Sequence, residues 1–160
     1  MGSQLAVLVR SRRQRAEDVR SAARLVIADL YAFQNQITAD VLGRGPFSGG
    51  QGEVMPRLSS AADERRLSDN LHGEPWLKVM GSLTRMHGYQ RLSPRDRVAY
   101  HRKDPANVLE MYQYVEEVRR TLTSTARHRH RAHAHMDGVV VALNALAAER
   151  ASGGEEPRVG

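Results

Sequence analysis

The chain has 160 residues, a formal net charge of +6 and no cysteine. That length suits one domain with a modest core. The missing thiols exclude disulfides, thiolate metal sites and cysteine catalysis. Apolar residues make up 41% and aromatic residues 5%, so the core must come mainly from Val, Leu, Ala and Met, which suits packed helices better than a β-sandwich.

Of the 24 basic residues only Lys78 and Lys103 are lysines. A positive balance is compatible with nucleic acid, an anionic membrane or an acidic protein, and does not choose among them. No run approaches the ~20 apolar residues of a membrane span. Residues 1–12 form a short apolar and basic entry segment, in which Leu5 to Val9 is followed by Arg10 and Arg12, with Arg13 and Arg15 just beyond it. The apolar run is too short for a signal-peptide core and its charges lie on the wrong side. Met1-Gly2-Ser3 opens like a myristoylation signal, but Ala6 stands where Ser or Thr is required. The expectation is a cytoplasmic protein, with a membrane tether only if the native start lies upstream.

A bundle domain is expected over 13–151. Its first helix spans about 13–42, where Val19, Ala22, Ala23, Val26, Leu30, Phe33, Ile37 and Val41 recur at three- and four-residue steps. Gly43 and Pro46 supply its stop. Residues 43–58, rich in Gly with Pro46 and Pro56, read as a connector pinned by Phe47, Val54 and Met55. No strand precedes them and no Gly-Lys-Ser/Thr follows, so a phosphate loop is not supported. Ser60 with Asp63 is a capping-box pair opening a helix over 60–72. Pro75 opens another over 75–88, with Trp76 as a core anchor and Val79, Met80, Leu83 and Met86 on its apolar side. Ser93-Pro94 opens a fourth over 94–102, and Asp104-Pro105 launches a last long helix over 105–149. Residues 152–160 read as a disordered tail.

At 100° per residue the last helix carries a stripe of Val108, Met111, Val115, Val118, Leu122 and Ala126, resuming at Met136, Val140, Leu143 and Ala147. The gap in the stripe is the block Arg127-His128-Arg129-His130-Arg131-Ala132-His133-Ala134-His135. On a continuous helix Arg129 and His133 would fall in the packing seam, with Asp29 and Asp40 as candidate partners on the first helix. Stability would then change between about pH 5 and 7.5, around the ordinary histidine value. Arg120, Arg127 and Arg131 would share another side.

Three readings of the block compete. A metal site has only His130 and His133 at helical ligand spacing and no carboxylate in the block to complete it. A nucleic-acid or anion surface is better supported: Arg119 to Met136 holds five arginines, four histidines and no acidic residue, and phosphate contacts need such charge. Arg120, Arg127, Arg129 and Arg131 are the candidate contacts, although aromatics for base stacking are missing. The third reading is a solvated face with a polar seam at Arg129 and His133.

Enzyme signatures are absent: there is no His-Glu-x-x-His, Gly-x-Ser-x-Gly, kinase or dinucleotide fingerprint. Nothing calls for a cofactor. Glu116-Glu117 reads as a solvated pair, and Tyr112 and Tyr114 as a packing contact plus an exposed ring.

The stretch Ala22-Ala23-Arg24-Leu25-Val26-Ile27-Ala28-Asp29-Leu30, with Leu67 to Met86 around Pro75-Trp76, resembles helical proteins of GC-rich actinobacteria that carry an anchor before the first helix. The resemblance implies a bundle and a membrane tether, and it assigns no activity or site residues. A full anchor is missing from this sequence.

The fold class expected is therefore all-α, an elongated bundle of two long and two to three shorter helices. Helices of 30 to 45 residues would span roughly 45–67 Å, more than a compact domain of this size needs. Their ends should project or pair. The expected function is accordingly a non-enzymatic interaction or scaffold module, a homo-oligomer or a binder of a protein partner, with nucleic-acid association as the alternative.

Overall fold

In the computed structural model the axis of the fold is α1 (Gly2–Leu42), against which the rest of the chain packs. The structure describes residues 2–43 and 56–153, and within them there are six helices and no strand. The α1 stripe behaves as its spacing predicts: Ala22, Ala23, Val26, Leu30, Phe33 and Ile37 are fully buried, and Val19 and Val41 half-buried at its ends. Gly43 then takes φ 59 and donates its N–H to the Ala39 carbonyl at 2.9 Å. This left-handed stop is one that glycine adopts at little cost. The helix also begins earlier than expected and includes most of the entry segment.

α2 (Ala61–Ser68) opens on the expected capping box: Ser60 Oγ accepts the Asp63 N–H and Asp63 Oδ2 accepts the Ser60 N–H at 2.9 Å. It ends short of residue 72, once Leu67 has been buried against the core. α3 (Glu74–Gln90) starts with Pro75 in its first turn. Val79, Leu83, Met86 and Tyr89 face the core, whereas Met80 is exposed and Trp76 is only half-buried at its edge. α4 (Pro94–Lys103) is capped by Ser93, whose Oγ accepts the Asp96 N–H at 3.1 Å. α5 (Pro105–Thr125) is capped by Asp104, which accepts the Asn107 N–H.

The expected helix over 105–149 is two helices. α5 stops at Thr125, and α6 (Met136–Gly153) starts after ten non-helical residues. Four hydroxyl residues, Thr121, Thr123, Ser124 and Thr125, crowd the last turn of α5. Three of them return their hydroxyls to backbone carbonyls: Thr121 to Glu117, Thr123 to Arg120 and Ser124 to Thr121. Such bonds compete with helix propagation. The stop itself is a Schellman pair, with the His128 N–H on the Thr123 carbonyl at 2.9 Å and the Arg127 N–H on the Ser124 carbonyl at 3.2 Å. Arg127 occupies the left-handed position at φ 50, which glycine usually takes. Continuing the helix would have stacked like charges at three- and four-residue spacing and placed a guanidinium in the seam, both unfavourable.

The break resets the phase of the apolar stripe. Val108, Met111, Val115, Val118, Leu122 and Ala126 are buried as expected. On α6 the buried residues are Val139 and Leu143, while Met136, Val140 and Ala147 are only half-buried. The expected tail begins inside α6 at Ser152 and Gly153; its remainder and the pinning residues Phe47, Val54 and Met55 lie outside the described residues. Among the described residues no helix is long and apolar enough to cross a membrane.

Candidate functional site

The α5–α6 loop, residues 126–135, sorts its side chains in two directions. His133 turns inward and is 3% exposed. Its Nδ1 lies 2.6 Å from the Tyr112 hydroxyl on α5, and its Nε2 lies 2.9 Å from Asn35 Oδ1 on α1. A ring that accepts from Tyr112 and donates to Asn35 is neutral. Burial, then the nearby Arg119 and His135, push its pKa down to about 4.

Beneath the loop lies a buried ionic cluster. Glu116 accepts from Gln34 Nε2 at 3.0 Å and from Arg119 Nη1 at 2.7 Å, and its second oxygen is 2.9 Å from His130 Nε2. Arg119 also donates to Gln34 Oε1 at 2.6 Å and, through Nη2, to the Arg131 carbonyl at 3.2 Å. Its guanidinium sits 4.6 Å over the Tyr31 ring. The loop is therefore fastened at His130, Arg131 and His133. Glu116, read from sequence as solvated, is 3% exposed. The legible signal was a second α5 stripe of Tyr112, Glu116, Arg119 and Thr123, at four- and three-residue steps beside the apolar one.

Arg129 is exposed and is not a seam residue, because the helix that would have put it there is interrupted. Arg120, Arg127 and Arg131 are exposed as well, and none of the four has a carboxylate partner among the described residues. Arg129 and Arg131 border one cleft along α1, which Arg120 and Arg127 do not line. Asp29 and Asp40 pair with neither Arg129 nor His133. Asp29 accepts the Leu58 N–H at 2.7 Å and the Ser59 N–H at 2.9 Å, fastening the chain where it returns to α1.

Asp40 belongs to a second buried network that sequence reasoning missed. Its Oδ2 accepts from Arg97 Nε and from the Tyr89 hydroxyl, both at 2.8 Å, and the Tyr89 oxygen lies 2.5 Å from His101 Nε2. With its one proton directed to Asp40, Tyr89 must accept from a protonated Nε2. Burial lowers the His101 pKa to about 4 and, with Asp40 nearby, raises that of Tyr89. A carboxylate, tyrosine, histidine and arginine are an acid–base set in kind. Here they are spent on one another in the interior, with Arg97 1% and His101 3% exposed, and they bind α1, α3 and α4 together. Arg97 and His101, four residues apart on a helix poor in apolar residues, were the available signal.

Among the described residues no group of three or more His, Asp or Glu could hold a metal ion; His130 and His133 turn to different partners. One further feature concerns α1: Val7, Val9 and every residue from Arg10 to Glu17 are exposed, so none of these described side chains packs on the bundle. Set against protein families, curated proteins and solved structures, the chain matches none of them.

Proposed function

We propose that this chain is a non-enzymatic helical interaction module that pairs with a second copy of itself through the first part of α1. The observation that carries this reading is the exposure of Val7 and of every residue from Val9 to Glu17, with Val7 67% and Val9 47% exposed. A helical segment of that length whose described side chains are all exposed draws little stability from packing on the bundle and is marginal in water. Packing against another helix stabilises it. Arg10, Arg12, Arg13 and Arg15 precede Glu17 and Asp18, so an antiparallel pair sets the basic stretch of one copy beside the acidic pair of the other. Such two-fold contacts close on themselves.

Light scattering across a concentration series tests the reading. The expected result is a dimer that a Val7→Glu, Val9→Glu double variant weakens at least ten-fold while the bundle keeps its cooperative thermal transition. A monomer at every concentration overturns it.

A second reading is favoured by a separate observation, that Arg120, Arg127, Arg129 and Arg131 are exposed and have no carboxylate partner among the described residues. These would contact the phosphates of a nucleic acid. Binding of duplex DNA or RNA that falls steeply with salt, and drops when Arg127, Arg129 and Arg131 become Ala, is the outcome that reading requires. Salt-independent or absent binding removes it.

A further inference from the structure

Between α1 and the α5–α6 loop runs an open cleft of about 800 Å³, within the size range of small-molecule sites. Its floor is Ile27, Ala28, Tyr31 and Ala32, two adjacent rows of α1 at four-residue spacing, and Ala132 and Ala134 form the facing wall. Leu58, 56% exposed, lies along its edge. The small side chains on both sides are what leave the space open. From Arg24 to Asn35 the cleft follows α1 for about 17 Å.

Its charge is one-sided. Arg24, Arg119, Arg129 and Arg131 line it, and no Asp or Glu does among the described residues. Glu17 stands 3.7 Å from Arg24 and Glu116 compensates Arg119, which leaves Arg129 and Arg131 uncompensated among the described residues. Within the wall, Arg119 Nε is buried without a partner. An elongated apolar floor beside two unpaired cations is complementary to an amphiphile with an anionic head.

We propose that this cleft binds a free fatty carboxylate, its acyl chain along α1 and its head group against Arg129 and Arg131. A nucleic acid fits the floor poorly, because alanines and Ile27 offer no stacking surface and the Tyr31 ring is already covered by Arg119, which leaves His128 at the loop as a lone ring among the described lining residues. A docked α-helix fits poorly too, because at about 10–12 Å in diameter it would overfill a cleft of this size.

Calorimetric titration of the full chain with decanoate, decanol and acetate tests the assignment. Decanoate is expected to bind one to one, and decanol and acetate at least ten-fold more weakly. An Arg129→Ala, Arg131→Ala double variant, which changes only exposed side chains, should weaken decanoate at least ten-fold. Ala32→Trp should block the floor and abolish binding, with circular dichroism unchanged in both variants. No decanoate binding below millimolar concentration, equal binding of decanol, or indifference to the arginine variant overturns the proposal. So does tight DNA binding through Arg129 and Arg131 without any for decanoate.

Discussion

The Tyr112 hydroxyl donates to Nδ1 of His133 across 2.6 Å, and through this contact a histidine in a polar loop becomes part of the core. Nε2 of the same ring donates to Asn35, so one neutral imidazole joins α1, α5 and the loop. Protonating Nδ1 removes the acceptor that Tyr112 needs and places a charge beside Arg119.

The first prediction concerns pH. An unfolded histidine titrates near 6.5, whereas His133 and His101 in the fold are held down to about 4, chiefly by burial. Between those values the unfolded chain binds more protons, so stability is fully present above about pH 6.5 and is lost progressively as pH falls toward 4. Each histidine contributes at most about 2–3 kcal/mol to this loss. The window lies lower than the pH 5 to 7.5 expected for a seam histidine near its ordinary value. Thermal melts should agree at pH 8 and 7 and drop by roughly 5–10 °C per histidine by pH 4.5. His133→Gln should flatten part of the slope, and equal melting temperatures at pH 7 and 4.5 would contradict the account.

Neighbouring glutamates should differ sharply. Glu116→Gln leaves the buried Arg119 without its counter-charge, and removing one partner of a buried pair costs about 3–5 kcal/mol. Glu117 is exposed and pairs with Lys78 at 2.6 Å, so Glu117→Gln should cost no more than about 1 kcal/mol. Urea unfolding of the two variants measures both. Similar midpoints would mean that Glu116 is not shielded as its surroundings indicate.

The Asp40 network gives a graded series. Asp40→Asn strands the Arg97 guanidinium and should cost about 3–5 kcal/mol. Tyr89→Phe removes one hydroxyl and leaves a donor of His101 unmatched, at about 1–3 kcal/mol. A Tyr89→Phe cost equal to that of Asp40→Asn would show that the hydroxyl, and not the ion pair, organises the network.

Much of the fold was legible because its determinants are local. The α1 stripe, the Ser60–Asp63 box, the Pro75 and Pro94 starts and the Gly43 stop each depend on residues within one or two turns. The buried polar residues were not, because their partners are distant in sequence. The second α5 stripe marks Glu116 as facing inward, but its partner Gln34 of α1 lies 82 positions away, and the Arg97–His101 spacing likewise does not name Asp40. The end of α5 was missed for a different reason. It carries neither Gly nor Pro, and periodicity alone bridges a gap of ten residues when apolar positions resume beyond it in near-helical phase.

That break supplies the last prediction, and its sign discriminates between the two descriptions of the chain. Arg127 holds φ 50, a left-handed conformation that costs a non-glycine residue roughly 1–2 kcal/mol. Its side chain is exposed and has no ion pair or side-chain hydrogen bond among the described residues, so replacing it loses nothing else. Arg127→Gly should therefore stabilise the protein by about 0.5–1 kcal/mol, net of the greater entropy of an unfolded glycine, and raise the melting temperature by roughly 1–4 °C. Arg127→Val, branched at the β-carbon, should lower it. In an uninterrupted helix the order reverses, since glycine costs about 1 kcal/mol in a helix interior and valine less. Melting curves of the two variants beside the native chain decide the matter, because strain at one residue and helix propensity at the same residue act in opposite directions.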